Sequence, residues 1–239
     1  MANVDFTQLE KELGITFSDQ ELLKQAFTHR SYLNENRHIR LSHNERLEFL
    51  GDAVLELVVT DYLFNKYTDK AEGELTAFRS ALVNTQTLAG VATRLGLNNY
   101  LLLSHGEAKD TGRARSYIMA NTMEALIGAL YVDQGYTRAQ AFVLEHVVHL
   151  IDDIIASKKF VDAKSYFQER AQDEIGITPA YKLVKEIGPD HDKKFTIGVF
   201  LVHELIATGE GKSKQEAEQE AATKALEMKG WDKNNEPPV

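Results

Sequence analysis

No cysteine occurs among the 239 residues. Disulfides, thiolate metal sites and cysteine nucleophiles are therefore excluded, and a reducing compartment fits best. No proline precedes Pro179, so nothing interrupts long helices in the first two thirds of the chain. There is no run of about 18 apolar residues, and no membrane span is expected. Residues Met1 to Leu13 carry Asp5, Glu10 and Glu12 in place of the basic start and apolar stretch of a secretion signal, so the expected location is the cytoplasm. Basic charge is also short: 27 Lys and Arg stand against 36 Asp and Glu, a net −9. The deficit is not segregated, being −5 over residues 1–150 (14 against 19) and −4 over 151–239 (13 against 17). Such a balance argues against a nucleic-acid partner unless the contact surface is a local basic patch.

The remaining composition, 43% hydrophobic and 26% charged, is that of a folded chain long enough for one large domain or two modest ones. Residues 1–150 read mostly as helix. Apolar positions recur at three and four, as in Leu22, Leu23, Ala26 and Phe27 and in Leu126, Ile127, Leu130 and Tyr131. Breaks fall at Gly14, Asn34–Asn36, Thr68–Gly73, Leu95–Asn99, Ser104–Gly112 and Asp133–Gly135. After Ile155, the segment 156–160 reads as a linker. A helix follows over about Ala163–Gly176, then strands at Tyr181–Ile187, Phe195–Val202 and Glu204–Gly211, and a last helix that Ser213 opens with Glu216 in capping-box spacing.

The stretch from Asn44 to Val59 carries the strongest chemical signal. At about 100° per residue, Glu45, Glu48, Asp52 and Glu56 share an arc of roughly 80°. Leu47, Leu50, Val54, Leu57 and Val58 lie opposite, while Phe49, Leu55 and Val59 flank the acids. A helix with almost no wet face is normally buried. Buried carboxylates at this spacing repel unless a cation neutralises them, and hard divalent cations take such oxygen ligands. The other reading is a solvated acidic stripe at a helix start, where the dipole favours Glu45 and Glu48. Asn121 and Glu124 form a further i, i+3 pair on an otherwise apolar helix, and Glu72 follows a loop. Alone, these read as surface polar residues, as Lys212 and Lys214 alone read as a charged turn.

Together, the residues resemble the bacterial ribonuclease III family. The stretch His43-Asn44-Glu45-Arg46-Leu47-Glu48-Phe49-Leu50-Gly51-Asp52 is similar to that family's signature. Thr28-His29-Arg30-Ser31-Tyr32, Glu72-Gly73, Arg115-Ser116-Tyr117-Ile118 and Met123-Glu124-Ala125-Leu126-Ile127-Gly128 match in the same order. Gly209-Glu210-Gly211-Lys212-Ser213-Lys214 and the alanine-rich stretch after it are similar to a double-stranded RNA-binding domain.

The resemblance implies an all-α endonuclease domain over 1–155 and a small α-β-β-β-α RNA-binding domain over 161–230, with a tail at 231–239. It implies a homodimer without a membrane association, acting on double-stranded RNA with Mg2+, Mn2+ being able to substitute. Processing of rRNA precursors and structured mRNA would follow, with 5′-phosphate and 3′-hydroxyl products. By the same resemblance Asp52 and Glu124 are catalytic, and Glu48, Asp52, Asn121 and Glu124 are metal-site residues. Glu45 and Glu72 would line the cleavage valley, and Phe49 with its apolar neighbours would sit at the subunit interface. One departure is Asn121, where the family commonly has Asp. An amide offers a carbonyl oxygen without charge, which leaves open a duplex-RNA-binding regulator that cuts weakly or not at all. For RNA, duplex recognition by shape and backbone across about 16 base pairs points to Gln168 and Glu169, His191, and Lys212, Ser213 and Lys214.

Overall fold

Apolar spacing of three and four does fold residues up to 156 into helices. A computed structural model describes residues 4–156, 163–189 and 193–231, and the chain divides into two compact units at 160/161. The first unit runs α1 (Phe6–Leu13), α2 (Gln20–Ala26), α3 (Arg30–Glu35), α4 (Glu45–Lys66), α5 (Glu72–Val83), α6 (Thr85–Arg94), α7 (Arg113–Gln134), α8 (Tyr136–His146) and α9 (Ile151–Ala156). The second is α10 (Ala163–Ile175), β1 (Ala180–Ile187), β2 (Lys194–Leu201), β3 (Glu204–Gly211) and α11 (Lys214–Lys229). This is the all-α plus α-β-β-β-α order expected from the sequence. Among the described residues, no helix is long and apolar enough to cross a membrane.

Two long helices, α4 and α7, form the spine of the first unit. Leu55, Val58, Val59 and Leu63 of α4 and Met123, Leu126, Ile127 and Leu130 of α7 are buried in one core. The helices touch backbone to backbone where glycine replaces a side chain. A Cβ on Gly51 would overlap the Glu124 carbonyl oxygen, and one on Gly128 would overlap the Leu47 carbonyl oxygen. No larger residue fits either position without parting the helices.

Asn44, read from the sequence as the cap of α4, plays another role. Its backbone is helical and its side chain makes no cap bond. It is buried, donating from Nδ2 to the Ala26 carbonyl at 3.2 Å and from its N–H to Thr28 at 2.9 Å. The start of α4 is thus tied to the end of α2. Burial also corrects the face assignment along α4. Leu55 and Val59 are fully buried within the chain, whereas Leu57, assigned to the inner side, is exposed with Phe49 and Phe64.

In the second unit an antiparallel sheet of order β1-β2-β3 packs against α11, and α10 packs beside α11. Phe167, Val199, Leu201, Ile206, Ala221, Ala222 and Leu226 form its core. Glycine again permits the contact, since a Cβ on Gly209 would overlap Ala217 and Ala221 of α11. Strand β2 ends at Leu201, one residue earlier than expected. Val202 adopts φ 57°, a left-handed value costly for a β-branched residue. Trp231, assigned to the tail, packs its ring on Phe167 at 5.6 Å and donates its N–H to Leu226. Of the expected linker only Ala156 lies within the described residues; the tail beyond Trp231 lies outside them.

Two glycine substitutions separate packing from propensity. Gly128→Ala, at the α4–α7 contact, is expected to lower unfolding free energy in urea by about 2–3 kcal/mol. Gly90→Ala, exposed in mid-α6 with open space around its Cα, is expected to raise it by about 0.5–1 kcal/mol. Equal effects would refute the close crossing.

Candidate active site

The close crossing sets carboxylates of two helices against each other. Glu48 and Asp52 bracket Gly51 on α4, while Asn121 and Glu124 stand one to two turns before Gly128 on α7. Burial pushes the Glu124 carboxyl up to about 7, and the charges of Asp52 and Glu48 add to the rise. Glu48 is also raised, first by burial and then by Glu45; a hydrogen bond from Asn121 opposes the rise, and Asp52 adds to it. Asp52 is the exposed member of the group. Three carboxylates therefore press on one another, and the Asn121 amide offers Glu48 a neutral hydrogen bond.

The donor chemistry fits a hard divalent cation: oxygen ligands only, partly buried, with excess negative charge. Among the described residues, however, no three His, Asp or Glu side chains stand close enough together to ligate one ion. Mutually repelling carboxylates are expected to stand apart until a cation draws them in.

The remaining candidates lie elsewhere in the unit. Glu45 pairs with Arg30 at 3.4 Å and with His43 at 3.7 Å. Glu56, on the acidic arc in the sequence, pairs with Arg79 of α5 at 3.5 Å. Glu72 is the exposed first residue of α5, and it borders a groove with Thr60, Leu63, Phe64, Leu75, Thr76 and Arg79. The structure thus brings together Glu48, Asp52, Asn121 and Glu124; Glu45 lies near enough to raise Glu48 while facing Arg30, and Glu72 lies at the start of α5. Sequence reading overlooked Gly51 and Gly128; glycines inside otherwise apolar helices were the available signal. Arg115 of the matched α7 segment donates to the carbonyls of Glu107 and Asp110 at 2.8 and 3.0 Å, fixing the preceding loop.

In the second unit Lys212 and Lys214 are exposed at the start of α11, and Gln168 and Glu169 on the outer side of α10. Ser213 Oγ accepts the Glu216 N–H at 3.1 Å, so its hydroxyl caps the helix. The expected capping box is shifted by one residue, because the Glu216 carboxylate accepts the N–H of Lys212 rather than that of Ser213. His191 lies outside the described residues.

A family described as Ribonuclease-III-like matches residues 19–151, and a Double-stranded RNA binding motif matches residues 163–229. Ribonuclease 3 of Enterococcus faecalis is 46% identical over 226 residues, covering 95% of this chain and 98% of that protein. Ribonuclease 3 of Borreliella burgdorferi is 44% identical over 229 residues, 95% of this chain and 93% of that one. The chain belongs to the ribonuclease III family. The solved nuclease domain of ribonuclease III from Campylobacter jejuni superposes with a TM-score of 0.55 at 39% identity, covering 61% of this chain and 97% of that one. A ribonuclease III-type endoribonuclease acting on double-stranded RNA is thus built here from a helical nuclease unit and an RNA-binding unit.

The electrostatics give a pH signature. Because the folded-state Glu124 value lies above the ordinary carboxylate value, its contribution to stability is full below about pH 4.5 and is lost as pH rises through about 7. In EDTA, Glu124→Gln should raise the thermal midpoint relative to the parent, and the gap should widen from pH 5 to pH 8. A constant gap in melting curves would contradict the raised value.

Proposed function

We propose that this protein is a magnesium-dependent homodimeric endoribonuclease that cuts double-stranded RNA to 5′-phosphate and 3′-hydroxyl ends, in cytoplasmic processing of rRNA precursors and structured mRNA. The observation that carries the reading is the mutual pressure of Glu48, Asp52 and Glu124 across the α4–α7 crossing. These three, with the Asn121 carbonyl, would hold the ion. Bound magnesium would lower the pKa of the attacking water and neutralise charge building on the phosphate; manganese offers the same octahedral oxygen chemistry. The carboxylates need only hold that charge in place. Burial of Glu124 keeps its oxygens away from bulk water, and the exposed Asp52 opens the site to the substrate. The absence of cysteine supports the reducing compartment.

A second copy is supported by the surface of α4. Phe49 is 80% exposed, Leu57 56% and Phe64 69%, forming one line along the helix. Isolated large apolar residues on a surface need no explanation, but a row of them marks an interface. In a two-fold dimer with antiparallel α4 helices, one copy's Phe49 would meet the other copy's groove at Thr60, Phe64 and Leu75. Glu72 edges that groove, so dimerisation is the route by which it would join the cleavage valley. The Campylobacter jejuni nuclease domain has a region involved in dimer formation. Two sites related by the dyad suit a substrate with two strands.

A second reading, a duplex-RNA-binding regulator with weak cleavage, is favoured by one observation. Asn121 brings a hydrogen bond to Glu48 where a further charge would strengthen metal binding. Incubation with long duplex RNA decides between them. The parent is expected to cut in magnesium and not in EDTA. Glu124→Gln should lose nearly all cleavage while binding RNA normally. Asn121→Asp should reach half-maximal cleavage at lower magnesium than the parent and melt earlier in EDTA. A parent that binds but never cuts, beside an Asn121→Asp variant that cuts, would establish the regulator.

The dimer has its own test. Phe49→Asp is expected to shift the full-length chain from dimer to monomer in sedimentation at micromolar concentration and to lower cleavage at least tenfold. A parent that is monomeric under those conditions would exclude the dimer.

A further inference from the structure

We infer that the loop joining α3 to α4 is a phosphate-binding surface of the nuclease unit, with Arg37 and Arg40 as its contacts to the RNA backbone. The inference rests on the duplex-RNA reading above and adds a place where the strand is held beside the acids. Residues 1–150 carry a net −5, yet no Asp or Glu occurs between Asn36 and Asn44, while Arg37, His38 and Arg40 do. All three are exposed.

The loop is a built structure. Asn36 is 3% exposed and donates from Nδ2 to the Tyr32 carbonyl at 2.9 Å. The half-buried Ile39 donates its N–H back to Asn36 at 3.0 Å. At the far end, Gln25 Nε2 donates to the His43 carbonyl at 3.1 Å, and Asn44 is tied to Thr28 as described. These anchors hold Asn36 and Ile39 inward and leave the arginines outward.

The nearby acids are paired with other residues. The Glu35 carboxylate is bound to the His105 ring at 2.9 Å and to the His105 N–H at 3.1 Å. Glu45 faces the Arg30 guanidinium at 3.4 Å. Among the described residues, Arg37 and Arg40 make no ion pair. A guanidinium presents a planar fork that matches phosphate and loses little hydration in doing so.

Position supplies the reason. The loop runs directly into α4, whose first residue is Glu45 and whose next turn carries Glu48. A polyanion approaching three carboxylates is repelled, and cations on the chain immediately before them can hold neighbouring phosphates while the scissile one enters. Arginine at 37 and 40 would supply that attraction without placing a positive charge in the site itself.

The test measures duplex-RNA binding by the full-length chain in EDTA, where cleavage is off, across a salt series. Arg37→Gln with Arg40→Gln should lower the slope of log affinity against log salt by about one unit per lost phosphate contact. It should leave the melting temperature unchanged, and in magnesium it should raise KM with kcat retained. Arg37→Lys with Arg40→Lys should keep most of the slope. An unchanged slope in the Gln variant of a chain that binds RNA would overturn the inference and leave the nuclease reading intact, freeing the loop for another anionic partner such as an acidic protein segment. A Gln variant that binds more weakly but with the parental slope, or that melts early, would also overturn it. A parent that neither binds nor cuts duplex RNA would remove both readings together.

Discussion

Everything chemical in the nuclease unit depends on two helices approaching closer than side chains permit. Gly51 and Gly128 allow α4 and α7 to meet at their backbones. That distance sets Glu48 and Asp52 against Glu124. A pair of alanines would separate the helices and relax the repulsion, and with it the demand for a cation. The approach is stabilised below the crossing by interdigitated Leu, Val, Ile and Met side chains, all essentially buried. Apolar burial, at about 25 cal/mol per Å2, is what holds the two helices together against the repulsion between their carboxylates. The raised value of Glu124 is the visible part of that opposition.

How much of this the sequence reveals depends on the kind of interaction. The element order and the strand limits are legible because alternation and three–four periodicity are local properties. Strand β2 ends one residue early because a two-residue turn must reverse the chain, and Val202 is forced to a positive φ there; no local preference of valine announces it. Asn44 has the composition of a cap, but the tertiary need to fasten α4 to α2 claims its amide instead. Leu55, Leu57 and Val59 are alike in hydropathy, and only the direction of the core decides that the first and third are inside and the second outside. Periodicity assigns a stripe; it does not say which apolar residues meet the chain's own core and which stay exposed.

The candidate site shows the same division. The acidic arc is readable from spacing, yet its four members separate in the fold: Glu48 and Asp52 face α7, Glu45 turns to Arg30 and His43, and Glu56 to Arg79. The selection is made by which residues lie across from each carboxylate, a long-range fact. Asn121 and Glu124 look ordinary as a pair and gain meaning only from the helix opposite. The family signature compensates for this, because it encodes the three-dimensional grouping that one sequence leaves implicit.

An acidic protein that acts on a polyanion must keep its negative charge out of the substrate's way, and the two units do so by a common device. In the second unit three of the four acids of α11 are engaged within the fold. Glu216 accepts the Lys212 N–H, Glu218 pairs with Lys164 at 2.6 Å, and Glu220 accepts the Glu210 N–H and pairs with Lys224 at 3.0 Å. Lys212 and Lys214 are left outward at the helix start, and a helix N-terminus is an end that favours anions. In the first unit His105 engages Glu35 and Arg30 pairs with Glu45, and among the described residues the arginines of the loop between them make no ion pair. Net charge therefore says little about the partner here. What matters is which charges the fold has already satisfied, and near both cationic surfaces those are the negative ones. The carboxylates at the α4–α7 crossing are left in the opposite condition, pressing on one another with burial and mutual repulsion raising Glu124 and Glu48, which is the condition that the proposed metal role would relieve.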